Sequence, residues 1–283
     1  MSFTLPVGSI DTHHHFWVYN EVRDAWIDDS MKVIQRDFLP ADLQPVLETN
    51  GLEGCITVQS DQSLEENDFQ LANAENNHFV KGIVGWVDLQ SAKVGEQLSY
   101  ISQFPKMKGV RHVLQGEEQR DLMLTKPFLN GIKELKYHNL KYDILIFDDQ
   151  LQYIPEFLKK NEQQLFVIDH IAKPKIKTQE TEPWRKGIEA LKDYDNVLIK
   201  VSGMVTEADW QHWKYQDFVP YLDIVLESFG TDRIMYGSDW PVCNVAGGYE
   251  QMLSITKKYF ANFSDAEKEK IFKTNGKQFY NVV

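Results

Sequence analysis

Short apolar runs recur along this chain, each followed by a longer stretch in which apolar positions return every three or four residues. The first pattern fits strands buried on both faces, and the second fits amphipathic helices. Eight runs stand out, at residues 9–13, 54–59, 82–89, 109–114, 142–147, 165–170, 197–202 and 233–238. Helical periodicity follows at 40–50, 68–77, 93–104, 126–138, 151–161, 183–192, 218–229 and 248–260. Ser264-Asp265-Ala266-Glu267 is a capping box that opens a terminal helix, with Asn275-Gly276 as its expected end or kink. Eight strand-helix units with no intervening linker predict an α/β fold, a (β/α)8 TIM barrel in one domain spanning 1–283. No glycine-rich fingerprint follows the first strand, which argues against a dinucleotide-binding doubly wound sheet.

Composition narrows the partners. A chain of 283 residues, 42% hydrophobic, can bury one large core. With 30 Lys and Arg against 42 Asp and Glu, the net charge of −12 disfavours the phosphate-neutralising surface that nucleic-acid binding needs, so no nucleic-acid partner is expected. No stretch approaches the ~20 apolar residues of a membrane span, and the first ten residues lack a cationic leader. A cytoplasmic protein with a small-molecule partner is expected, with its oligomeric state left open. Cys55 and Cys243 are the only cysteines, too isolated for a disulfide framework or a thiolate zinc site.

The candidate chemistry gathers at strand ends, where barrel enzymes carry their working groups. In Asp11-Thr12-His13-His14-His15-Phe16-Trp17, strand alternation points His13 and His15 one way and His14 the other. Later strand ends carry Arg111, His112 and Gln115, then Asp169-His170, Lys200 and Ser202, and Ser238-Asp239. His13, His15, His170 and Asp239 make a three-nitrogen, one-oxygen set for at most one divalent ion, zinc first, whose requirement the ligands alone do not establish. Asp239 is equally placed to be a general base, or simply a turn residue before Trp240-Pro241. Arg111 and Lys200 are balanced between binding substrate and closing an internal salt bridge, while Lys173 leans toward the site. Trp17, Trp26, Trp86 and Trp240 are candidates to wall a sugar-sized pocket, whereas Trp184, Trp210 and Trp213 read as helix packing. His78, His138 and His212 have no assigned role.

Taken in order, the first-strand run, Gly109-Val110-Arg111-His112-Val113-Leu114-Gln115, Ile168-Asp169-His170-Ile171-Ala172-Lys173-Pro174, Lys200-Val201-Ser202-Gly203-Met204 and Tyr236-Gly237-Ser238-Asp239-Trp240-Pro241 resemble the amidohydrolase superfamily. The likeness covers about residues 10–280 and is nearest to its branch of sugar-lactone hydrolases. It implies a lactonase that opens a sugar 1,4- or 1,5-lactone, of L-fucono- or L-rhamnono-lactone type, to the aldonic acid. Asp239 would be the base, and Arg111, His112, Lys173, Trp86 and Trp240 would contact substrate. Binuclear members bring a lysine from strand four and a histidine from strand five. Here those strands offer Arg111-His112 and Tyr142-Asp143-Ile144, which implies a mononuclear site at most. The alternatives are a metal-dependent decarboxylase of the same superfamily and a catalytically silent metabolite-binding barrel.

Overall fold

The computed structural model describes residues 3–283. Eight parallel strands form one sheet in sequence order: β1 (Ile10–His14), β2 (Gly54–Val58), β3 (Val80–Gly85), β4 (Met107–His112), β5 (Lys141–Ile144), β6 (Phe166–Ile168), β7 (Val197–Val201) and β8 (Ile234–Tyr236). The ends meet above β8, where His14 bridges Trp240 and the His15 amide donates to the Trp240 carbonyl at 2.7 Å. The result is a single-domain (β/α)8 TIM barrel. Helices α1 (Pro40–Asn50), α2 (Leu64–Asn76), α3 (Val94–Ile101), α4 (Lys126–Leu135), α5 (Ile154–Lys160), α6 (Glu182–Glu189), α7 (Tyr215–Phe229) and α8 (Tyr249–Tyr259) follow the strands in turn.

Alternation along the strands divides the core in two. Val110, Tyr142, Ile144, Ile168, Ile199 and Tyr236 face outward into the large strand-helix core. Ile56, Val58, Val84, Val167 and Met235 face inward and fill the barrel axis. β1 breaks the rule of two: its pairing to β2 shifts register between Asp11 and His14, so Ile10 and His13 both serve the interior despite their odd spacing.

The capping box forms as expected. Ser264 Oγ accepts from the Glu267 amide at 3.3 Å, and Glu267 accepts from the Ser264 amide at 2.8 Å. The helix it opens, α9 (Asp265–Glu269), runs through a π turn at Lys270–Thr274 into α10 (Asn275–Phe279), so Asn275-Gly276 does not end it. The reason is packing. Asn275 donates to the Thr231 and Ile234 carbonyls, and a Cβ on Gly276 would meet the Thr12 methyl at 2.5 Å. This close approach lets Phe279 and Tyr280 plug the N-terminal mouth of the barrel. Among the described residues, no helix is long and apolar enough to cross a membrane.

Candidate active site

Three loops at the C-terminal end of the barrel aim side chains at one point. After β6 the backbone holds left-handed φ at His170, Ile171, Ala172 and Lys173, an uncommon run for non-glycine residues that swings His170 back over the barrel axis. Trp184 Nε1 pins this turn through the Ile171 carbonyl at 2.6 Å, and Ser202 Oγ lies 2.9 Å from His170 Nδ1. Asp239, also left-handed, is tied down by its amide donating to the His13 carbonyl at 2.8 Å.

Asp239 Oδ1 is consequently 3.4 Å from His15 Nε2, 3.7 Å from His170 Nε2 and 3.8 Å from His13 Nε2. His13 and His15 Nε2 are 3.2 Å apart. A tetrahedral ion with bonds of about 2.1 Å sets its ligand atoms about 3.4 Å apart; His13, His170 and Asp239 present ligand atoms within 4.8 Å of one another, and His15 Nε2 approaches His13 and Asp239 at that spacing. His15 Nδ1 donates to the Val58 carbonyl at 2.8 Å, which fixes the ring with Nε2 toward Asp239. Burial, reinforced for His13 by Lys200, His15 and Arg111, pushes the His13 and His170 imidazoles well below their ordinary range, so both are neutral, the form that ligates. For Asp239 burial acts upward, but His170, His15 and Lys173 together outweigh it and hold the carboxyl below its ordinary value.

Beneath these groups lies a second layer. His13, Asp143 and Asp169 also present ligand atoms within 4.8 Å of one another, but Lys200 Nζ stands among them. It is 2.5 Å from Asp143 Oδ2, 3.0 Å from Asp169 Oδ1 and 3.2 Å from His13 Nδ1. Of the two sequence readings of Lys200, the geometry selects the internal salt bridge. Arg111 spans both layers: its Nη1 reaches Asp169 Oδ2 at 3.2 Å, its Nη2 donates to the Gln59 carbonyl at 2.7 Å, and it lines the cavity above.

That cavity, about 400 Å³, opens over His15, His170 and Asp239. Its walls include Trp17, Trp26, Arg23, Gln62, Gln115 and Lys173, a mixture of aromatic faces and hydrogen-bonding groups. Lys173 Nζ pairs with Glu207 at 3.2 Å.

Three expected substrate contacts do not line it. His112 follows Arg111 on β4, and the pleat that turns Arg111 inward turns His112 outward, onto Phe128 and to Glu117 at 2.7 Å. Trp86 Nε1 joins His112 Nδ1 at 3.4 Å in that same outer cluster. Trp240 is buried edge-on against Phe38 and Phe16. Asp143, absent from the sequence-derived site, had a legible signal: a lone carboxylate in an apolar strand needs a buried partner, and Lys200 in β7 has the same need.

The chain is similar to known proteins along nearly its whole length. An L-fucono-1,5-lactonase of Burkholderia multivorans is 32% identical over 260 residues, covering 88% of each chain. Another protein of that name, from Burkholderia ambifaria, is 31% identical over 96% of this chain and 95% of its own. A crystal structure of a Burkholderia multivorans amidohydrolase with bound zinc superposes with a TM-score of 0.93 at 31% identity, covering 97% of this chain and 99% of that one. The amidohydrolase family model matches residues 10–282, and with barrel, strand-end histidines and match together, this chain belongs to the amidohydrolase family.

Proposed function

We propose that this protein is a lactonase that opens a sugar lactone, of the L-fucono-1,5-lactone class, to its aldonic acid. One observation carries the reading: an ionised, nearly buried Asp239 meets three imidazole nitrogens at the floor of a cavity walled by tryptophan and by Lys173 and Arg111. The similarity to L-fucono-1,5-lactonases supports the choice of substrate class.

His13, His15, His170 and Asp239 would hold one zinc ion, which when bound supplies a Lewis acid for the lactone carbonyl and acidifies water. Lys200 already takes the place a second ion would need. Asp239 takes a proton from water as the oxygen attacks the lactone carbonyl carbon, and its depressed acidity range keeps it ionised for that task at neutral pH. Lys173 and Arg111 face the negative charge that develops on the carbonyl oxygen. Collapse of the tetrahedral carbon breaks the ring C–O bond, and Asp239 returns its proton to the leaving oxygen. Trp17 and Trp26 offer apolar faces to the sugar ring. The two free, buried cysteines, Cys55 and Cys243, suit a reducing compartment, and we place the enzyme in the cytoplasm.

The test is a panel of aldonolactones beside aromatic acids, run with wild-type protein and Asp239→Asn. Lactone opening by the wild type, reduced at least about 100-fold in Asp239→Asn with an unchanged circular dichroism spectrum, is the expected result. Release of carbon dioxide from an aromatic acid without any lactone opening overturns the reading.

A further inference from the structure

The His13 ring is flanked by a cation at each nitrogen. Lys200 Nζ is 3.2 Å from Nδ1, and Arg111 Nη1 is 3.3 Å from Nε2. Ammonium and guanidinium groups only donate, and a neutral imidazole has one lone pair, so the ring can satisfy one of them at a time. Each choice has its own outlet for the ring proton. With Lys200 satisfied, the proton sits on Nε2, which faces His15 Nε2 at 3.2 Å and Asp239 Oδ1 at 3.8 Å. With Arg111 satisfied, the proton sits on Nδ1, 3.2 Å from Asp169 Oδ1, a buried carboxylate oxygen that Lys200 Nζ also approaches at 3.0 Å.

We propose that His13 is a two-state ligand, and that Asp143 and Lys200 are positioning residues that set its tautomer. The proposal rests on reading His13 as a zinc ligand, since only the Nδ1–H form leaves Nε2 bare toward Asp239. Lys200 works against that form by donating to Nδ1. Asp143 restrains it, holding Nζ at 2.5 Å, closer than the ring does. Asp143 is itself held from the floor of the barrel, where Tyr280 Oη donates to the same Oδ2 at 2.7 Å. His13, Asp143, Asp169 and Lys200 all have fully buried side chains, so water does not blur the competition.

Two substitutions then act in opposite directions. Asp143→Asn removes the nearer of the two carboxylates that restrain Lys200, so the Nε2–H form grows and zinc affinity falls about tenfold, the scale of a lost outer-sphere partner. Lys200→Met removes the competing donor, so the Nδ1–H form grows and zinc is held at least as tightly as in the wild type. The experiment is 15N NMR of the His13 ring in the metal-free proteins, with zinc affinity measured by chelator competition. Unchanged tautomer populations in Asp143→Asn overturn the proposal, and that variant alone decides if Lys200→Met does not fold. Loss of zinc affinity in both variants, with the ring populations unmoved, shows a merely structural role. A wild type that binds no zinc removes the ligand assignment above, while the ring populations still decide whether Lys200 and Asp143 control the tautomer.

Discussion

Gly203 lies so close against His170 that a Cβ on it would sit 2.5 Å from the imidazole Nδ1 and 2.7 Å from Cγ. Gly203 also has φ +59°, a conformation in which a side chain is strained. Gly203→Ala therefore pushes His170 off the axis as well as straining its own backbone. A stability loss of about 1–3 kcal/mol in urea denaturation is expected, together with weakened zinc binding. Wild-type zinc affinity in this variant would show that the His170 position tolerates displacement.

The neutral state of His13 and His170 has a pH signature. Their folded acidities lie well below the ordinary 6.5, so zinc affinity holds as pH falls through 6.5 and drops only at more acidic values. In metal-free protein the sign for stability is the reverse of a salt-bridged histidine. Below 6.5 the unfolded chain takes up protons that the folded ring refuses, so stability falls with falling pH, by about 1.4 kcal/mol per unit for each histidine. Chelator competition and urea titrations between pH 5 and 8 check both slopes.

Trp26 is 48% exposed at the cavity mouth and meets Trp17 edge-on at 6.1 Å. An exposed tryptophan beside a half-polar cavity is suited to stack on a sugar ring. Trp26→Ala is expected to raise KM for the aldonolactone several-fold, with kcat within about twofold, because a stacking face binds the ground state and the transition state alike. Steady-state kinetics separate the two constants.

His112 and Trp86 pack outside the barrel with Glu117 and Phe128. His112→Ala should therefore lower the thermal midpoint by a few degrees, through lost packing and a lost hydrogen bond, while kcat/KM stays within about threefold. A loss of kcat/KM beyond about 100-fold at unchanged stability would place His112 in the chemistry.

Much of the fold was readable in advance, because eight apolar runs separated by amphipathic stretches leave little choice but a barrel. Strand lengths were overread. The runs at 82–89, 165–170 and 233–238 continue past the paired segments Val80–Gly85, Phe166–Ile168 and Ile234–Tyr236, into turns that are still largely buried. Hydrophobicity reports burial, and in a barrel mouth burial outlasts hydrogen-bonded pairing. His112 shows a different failure. It neighbours Arg111 on β4, and the period of two that puts His13 and His15 on one side of β1 puts His112 on the side opposite Arg111.

Residue types and spacing by themselves determined the barrel, the His13 and His15 pair, and the candidacy of His170 and Asp239, because local alternation and strand-end position are short-range properties. Tertiary structure decided what no spacing encodes. The left-handed turn at 170–173 aims His170 inward, and a register shift in β1 turns His13 to the interior. Lys200 reaches Asp143 across 57 residues of sequence, and Tyr280 reaches the same carboxylate across 137. Such contacts form because buried charges must find partners wherever the closed barrel brings them together, and that closure belongs to the whole chain.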